Sequence, residues 1–491
     1  MLELAVLIAV DLALIAAVMI LRSPKLLLPI VVLGLPIEYF ATVTLDTFGE
    51  GGIRGAVRAF LVPGKAAMLA VVLFAVFRSR HRPLALFPNS AMVIPLAVLA
   101  IVIVIGVAWS DSLDPPNSVL ILMLYVAFAF AAPMFIEDRR DLERIWGCMF
   151  AIAMFLSVVA VAQRFGVFNW RAVLVQSDEV SYRSNATFGD PNILARYLAM
   201  VIPLAVALIL ATGARRLTLL AIPALFLSLL GIIASASRSG WLMLVMVGFL
   251  TVLFAPIRRS LKVELTVVAV AIVSAGLGLL LFNGGADAER VRTLTRVSEV
   301  IGQREFLIRA GWEMWKDNPF IGVGSGNYQH ALQTSYLDQI PTWARTTLSH
   351  TSFVSILAEV GIVGAALFVF VALRVGLTVG RTYFATKDPY NRLITGWLGA
   401  SLIGVMFHTQ SEGRLLDEPY LWFLIALVIA FETRFARRVV ESAVAREVVV
   451  SVEPAAGMPT PEGQRGARPI PAPVGVVTTH QTIEPQPGGG A

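Results

Sequence analysis

Apolar stretches of about 17–25 residues recur along almost the whole chain, each closed by a short polar break. A helix of that length crosses the hydrocarbon of a bilayer, and a water-soluble chain has no use for so many. Composition agrees. Of 491 residues, 57% are hydrophobic and only 15% charged, with a mean hydropathy of +0.77, too little charge to cover a soluble surface of this size. A transmembrane barrel would show segments of about ten residues with alternating polarity, and none appear. Met1–Leu21 is too long for a cleavable leader, lacks a basic start, and reads as a first span. The expected fold is an all-α polytopic membrane protein with about 12–13 transmembrane helices.

The spacing predicts spans near 2–21, 26–44, 61–77, 91–109, 119–135, 145–163, 192–212, 217–235, 241–256, 264–282, 351–373, 393–409 and 418–433. Alternate breaks are basic: Arg22 and Lys25; Arg78, Arg80 and Arg82; Arg139, Arg140 and Arg144; Arg215 and Arg216; Arg258, Arg259 and Lys262; Arg374, Arg381, Lys387 and Arg392; Arg434, Arg437 and Arg438. The positive-inside rule makes these cytoplasmic. The intervening "SDSLDPPNS" (110–118) has no Lys or Arg. The net charge of +6 is thus an orientation signal, and no nucleic-acid partner is expected. The single cysteine, Cys148, excludes an intrachain disulfide and a multi-cysteine metal site. The expected organisation is a span region over 1–282, one long, partly helical external loop over 283–350, a second span region over 351–439, and a disordered cytoplasmic tail over 440–491, rich in Pro and Gly.

The external loop contains "GQREFLIRAGWEMWKDNPFIGVGSGNYQHAL". Arg304 to Lys316 reads as a helix, ended by "DNP" and followed by a glycine turn. Glu305, Arg309, Glu313 and Lys316 share one stripe and can pair with each other. Arg304 aligns instead with Ile308, Gly311 and Trp315, and its helical neighbours carry no acid. Its partner is either a structural carboxylate or carbonyl from elsewhere, or an anionic ligand. "GVGSG" (322–326) lacks the Lys-Ser/Thr and the strand of a phosphate loop and reads as a turn.

Arg238, in "ASASRSGW", stands between two spans at the external boundary, among small residues that let helices approach closely. It either snorkels to the interface or serves a site. In "TFGDPNILARYL", Asp190 or Asn192 can cap the helix that follows, with Pro191 in its first turn. His350, one of five histidines, opens an apolar run. It either heads the helix beside a capping Ser349 or Thr351, or acts as a base. One base and two arginines at one membrane face suit a lipid-linked diphosphate: arginines hold phosphate by charged hydrogen bonds, and a neutral imidazole can take a proton from a hydroxyl.

The ordered series "TFGDPNILARYL", "ASASRSGW", "REFLIRAGWEMWKDNPFIGVGSGNY" and "LSHTSFVSILAEVGIVGAALFV" resembles the O-antigen ligase and polymerase superfamily of bacterial membrane glycosyltransferases. Members show Pro-Asn at the head of one span, Ser-Arg at another, an Arg ahead of a Pro-x-x-Gly-x-Gly turn, and a His heading a span with Glu-x-Gly further in. Here these are Pro191 and Asn192, Ser237 and Arg238, Arg304 before Pro319, and His350 before Glu359 and Gly361. The likeness covers roughly 185–375. Asp190 stands where the family often has Asn, and Thr351 where it often has Asn.

The resemblance implies a GT-C-like fold and a metal-independent transfer, without cofactor, on the external face of the bacterial inner membrane. The donor would be a glycan on polyprenyl diphosphate of the undecaprenyl type, and the acceptor a hydroxyl of a glycan, of lipid A-core or of a protein. His350, Arg304 and Arg238 would be catalytic, and Asn192, Arg196 and Tyr328 substrate-binding. Ligase and polymerase share this site. A transporter is the competing class, although acids within the spans are sparse: Asp11 and Glu359.

Overall fold

Hydropathy dictates helix after helix, and helices are what forms. A computed structural model describes residues 24–37, 62–111, 115–167, 173–175, 181–210, 215–282, 288, 297–339, 341, 352–410 and 415–436. The helices are α1 (Leu27–Gly34), α2 (Pro63–Arg78), α3 (Val93–Gly106), α4 (Pro115–Ala131), α5 (Arg139–Arg164), α6 (Pro191–Leu210), α7 (Arg215–Ser235), α8 (Arg238–Phe254), α9 (Arg259–Phe282), α10 (Val297–Asp317), α11 (Tyr328–Gln333), α12 (Ser352–Ala385), α13 (Pro389–Thr409) and α14 (Pro419–Ala430). Short 3-10 turns extend α1, α3 and α4. One antiparallel hairpin, β1 (Val173–Val175) with β2 (Ser181–Arg183), lies between α5 and α6, with Leu174 opposite Tyr182. Arg139–Arg164, Pro191–Leu210, Arg216–Ser235 and Ser352–Ala385 are long and apolar enough to cross a membrane, and shorter apolar helices accompany them. The chain is an all-α multi-pass membrane protein. Each span expected from 26–44 onward falls on a helix; the one at 2–21 and the tail lie outside the described residues.

Local chemistry sets the helix heads. Asp138 accepts from the Asp141 amide in a capping box at α5. Asp388 accepts from Asn391 at α13, and Glu418 from Tyr420 at α14, each followed by a proline in the first turn. These side chains satisfy amides that have no partner within the helix.

Burial follows the sequence pattern. From Pro419 to Ala430 no residue is charged, and every one is buried, as expected of a helix apolar on all sides. α9 is the opposite case: Val263, Val267, Val268 and Val270 are exposed, a surface suited to lipid. Between helices, where lipid competes equally well for apolar surface, packing and hydrogen bonds decide association. Trp397 donates from Nε1 to the Met200 carbonyl at 2.9 Å and meets Trp146 edge-on at 5.4 Å, and the Trp146 Nε1–H donates to the Tyr390 hydroxyl at 3.2 Å. These contacts fix α13 against α6 and α5.

Cross-helix contacts also establish which ends lie together. Ser352 Oγ donates to the Thr409 carbonyl at 2.8 Å, so the head of α12 meets the end of α13. Gly404 packs on Met243 and Val247 of α8, a little inside the head at Arg238. Phe188 packs at a tilt against Tyr197 and edge-on against Tyr420, which brings the heads of α6 and α14 to the same place. At the other end, Lys25 pairs with Glu137 at 2.8 Å and Asp141 at 3.3 Å, Arg144 pairs with Asp141 at 3.0 Å, and Ser90 donates to Glu432 at 2.5 Å. The Lys25 ammonium holds the Glu137 carboxyl below its ordinary value. This second end carries the breaks read from sequence as cytoplasmic.

α12 departs from the expected span at 351–373. It has 34 residues, about 51 Å of helix, and is broken at Gly361 (φ 62, ψ −168). Residues 362–385 alone reach about 36 Å, enough to cross a bilayer. At the break the chain of Pro319–Gly324 docks: Ile362 N–H donates to the Pro319 carbonyl at 2.9 Å, while Val323 and Gly324 donate to the Ala358 and Glu359 carbonyls at 2.9 and 3.0 Å. Ser325 N–H donates to Gly106 at the end of α3 at 3.0 Å. Backbone that leaves helical geometry near a membrane needs partners inside the protein, and here the break and the loop supply each other's.

Candidate functional site

The heads of α6 and α8 form a polar corner. Asp190 caps α6: its Oδ1 accepts from the Asn192 amide at 2.6 Å, and its carbonyl from Ile193 and Leu194. Asn192 therefore has its side chain for another use. Its Oδ1 accepts from Ser237 Oγ at 2.7 Å and from Arg183 Nη2 at 3.0 Å. Ser237 in turn caps α8 by accepting from the Gly240 amide at 3.1 Å. Close approach makes this possible. A Cβ on Gly240 would overlap Ala195 of α6, and the turn ahead of α8 passes through Ala236 at φ +48. Arg238 is the first residue of α8 and half-buried, at the positive end of the helix dipole, where its charge raises the local field for an anion.

Arg196, one turn into α6, is fully buried and paired with Glu418 at the head of α14. The pair ties two helix heads below the corner. Tyr328 opens α11 and is also buried. Its hydroxyl donates to the Leu307 carbonyl at 2.6 Å, its amide donates to Glu359 Oε1 at 3.1 Å, and its ring lies on Gly311. Leu307, Ala310, Met314, Ala331, Leu332 and Ala358 close a small core around it. The Tyr336 phenol on the same unit bonds Asp317 at 2.7 Å; burial first, then Asp317, pushes it up to about 12.

Arg304 lies on α10, and its side chain is outside what is described; His350 lies outside the described residues, two positions before the first residue of α12. Asn192, Ser237 and Arg238 come together as a corner. The head of α12 is at that same end of the bundle, joined through α13.

Three participants escape a reading of the sequence. Arg183 breaks the charge rule in an external segment as Arg238 does, and that signal could have found it. Glu418 follows Asp417 in an ordinary capping position, and nothing local marks it as the partner of Arg196. His408 is fully buried one residue before the Thr409 carbonyl that receives Ser352; its place in an apolar run resembles packing.

Residues 223–369 match the family model described as O-antigen ligase. The matched stretch includes Arg238, Arg304 and His350, and Asn192, Arg196 and Arg183 precede it. No curated protein matches the chain.

Proposed function

Taking the chain as a member of the O-antigen ligase superfamily, we propose that it moves a glycan from a polyprenyl diphosphate carrier to an acceptor hydroxyl on the external face of the bacterial inner membrane. The observation that carries this reading is the corner of Asn192, Ser237 and Arg238 at the end of the bundle where α12, just after His350, begins.

The acceptor oxygen attacks the anomeric carbon of the first sugar, and the bond from that carbon to the phosphate oxygen breaks. His350 takes the acceptor's proton as the new glycosidic bond forms. Polyprenyl diphosphate leaves with the bonding pair, and Arg238 and Arg304 neutralise the charge that builds on it. Two guanidinium groups would do for the diphosphate what a divalent cation does elsewhere, so the reading requires no metal and no cofactor. Asn192 contacts the substrate beside Arg238. Arg196 and Tyr328, expected from the resemblance to bind substrate, are instead buried and support the site from within its wall, through Glu418 and through Leu307 and Glu359. The acceptor is a hydroxyl of a growing glycan, of lipid A-core or of a protein; ligase and polymerase differ only in that choice.

The test is glycan transfer in membranes containing the full chain. His350→Ala, Arg304→Ala and Arg238→Ala each abolish transfer while the protein still inserts. Wild-type activity in His350→Ala overturns its role as base.

A further inference from the structure

Arg183 ends β2, in the segment between α5 and α6 that the sequence reading left without a role. Its side chain bridges two parts of the site. Nη2 donates to Asn192 Oδ1 at 3.0 Å, and Nε donates to the carbonyl of Ser235, the last residue of α7, at 3.3 Å. Beside it, the Ser184 amide donates to the Ala234 carbonyl at 3.3 Å. The hairpin is thereby tied to the turn from which Arg238 starts.

The consequence falls on Asn192. Its Oδ1 receives two donors, Ser237 Oγ and Arg183 Nη2, so both lone pairs of the oxygen are used. Turning the amide over would set its NH2 against those same donors and lose both bonds. The amide thus has one orientation, with Nδ2 directed away from them, and among the described residues Nδ2 makes no hydrogen bond. A carbonyl oxygen held by one hydroxyl alone would leave the amide freer to turn. The charged donor makes the difference, because hydrogen bonds from an ionised group are about twice as strong as neutral ones.

We propose that Arg183 is a positioning residue for the transfer site: it locks the Asn192 amide so that Nδ2 donates to a phosphate oxygen of the lipid-linked donor beside Arg238. This rests on the proposed glycosyl transfer and names how the diphosphate end is recognised. The cationic surroundings, Arg183 and Arg238 together, favour an anionic oxygen over a sugar hydroxyl.

The experiment measures transfer kinetics with the full chain in membranes, varying donor and acceptor separately. Asn192→Asp keeps an oxygen for Ser237 and Arg183, replaces the Nδ2 donor with a second oxygen and sets a negative charge there, against an anionic ligand. It raises KM for the lipid-linked donor at least about tenfold, equivalent to about 1.4 kcal/mol, and leaves KM for the acceptor unchanged. Arg183→Ala gives a loss of the same kind, and Arg183→Lys, which keeps the charge without the two-pronged geometry, falls between it and wild type. Arg183→Ala with Asn192→Ala is no worse than Asn192→Ala alone, because Arg183 acts through Asn192. Losses that multiply, wild-type kinetics in Asn192→Asp, or a rise confined to the acceptor KM overturn the assignment while leaving the transfer reading intact. A wild-type chain that transfers no glycan overturns both.

Discussion

Gly361→Ala tests how the external loop is built into the membrane bundle. Gly361 sits at φ 62 and ψ −168, a region open in practice only to glycine and costing about 1–3 kcal/mol for other residues. An added Cβ would also overlap the carbonyl of Phe320. Relieving that overlap separates the break from its docked loop and weakens the bonds from Ile362 to Pro319 at 2.9 Å and from Val363 to Phe320 at 3.5 Å. Each such bond contributes about 0.5–1.5 kcal/mol, which brings the expected loss to about 2–6 kcal/mol. Two controls lie in the same helix. Gly376 and Gly380 have open space where a Cβ would go, so alanine there is neutral or gains up to about 1 kcal/mol of helix propensity. Denaturant unfolding in micelles reads all three. The same three variants assayed for proteolysis report whether 319–324 has come away from α12. Equal stability of Gly361→Ala and Gly376→Ala would refute the docked break, and with it the placement of the α10–α11 unit over the head of α12.

Glu418→Gln strands the buried Arg196 charge and costs about 3–5 kcal/mol of stability, while adding Arg196→Gln recovers part of it; unfolding of the four members of that cycle measures the coupling. At the opposite end, Lys25 holds Glu137 below its ordinary value, mainly through their hydrogen bond. A carboxyl lowered on folding stabilises fully above its unfolded value and loses that contribution as pH falls through the lowered one. Stability should therefore fall on acidification below about pH 4.3, and Lys25→Met should flatten that fall. The groups are partly exposed, so the effect is small and screened by salt.

Much of this architecture is legible in the chain because it is local. The runs that become α5, α6, α7 and α13 announce themselves by hydropathy, and the Asp190-Pro191 head by capping chemistry. The all-buried α14 follows from twelve residues without a charge. What is hidden is pairwise and distant. Arg196 and Glu418 meet across more than two hundred residues, and nothing near either names the other. The break at Gly361 reads as an ordinary glycine in a span until the loop from Pro319 docks on it. Arg183 and Asn192 are close in sequence, yet a three-residue strand and a tight turn direct one side chain onto the other. Of the corner itself, Asn192 and Arg238 were marked by motif and charge; the hydrogen bonds that join them were not, since they depend on how closely Ala195 lets α8 approach.

The most direct measurement uses purified full-length protein, a polyprenyl-diphosphate-linked glycan and an acceptor glycan, following release of the polyprenyl diphosphate. The account predicts release in step with glycan on the acceptor for wild type, and none for His350→Ala or Arg238→Ala protein that inserts normally. Transfer by those variants at the wild-type rate, or movement of the donor across a bilayer without release, would contradict it.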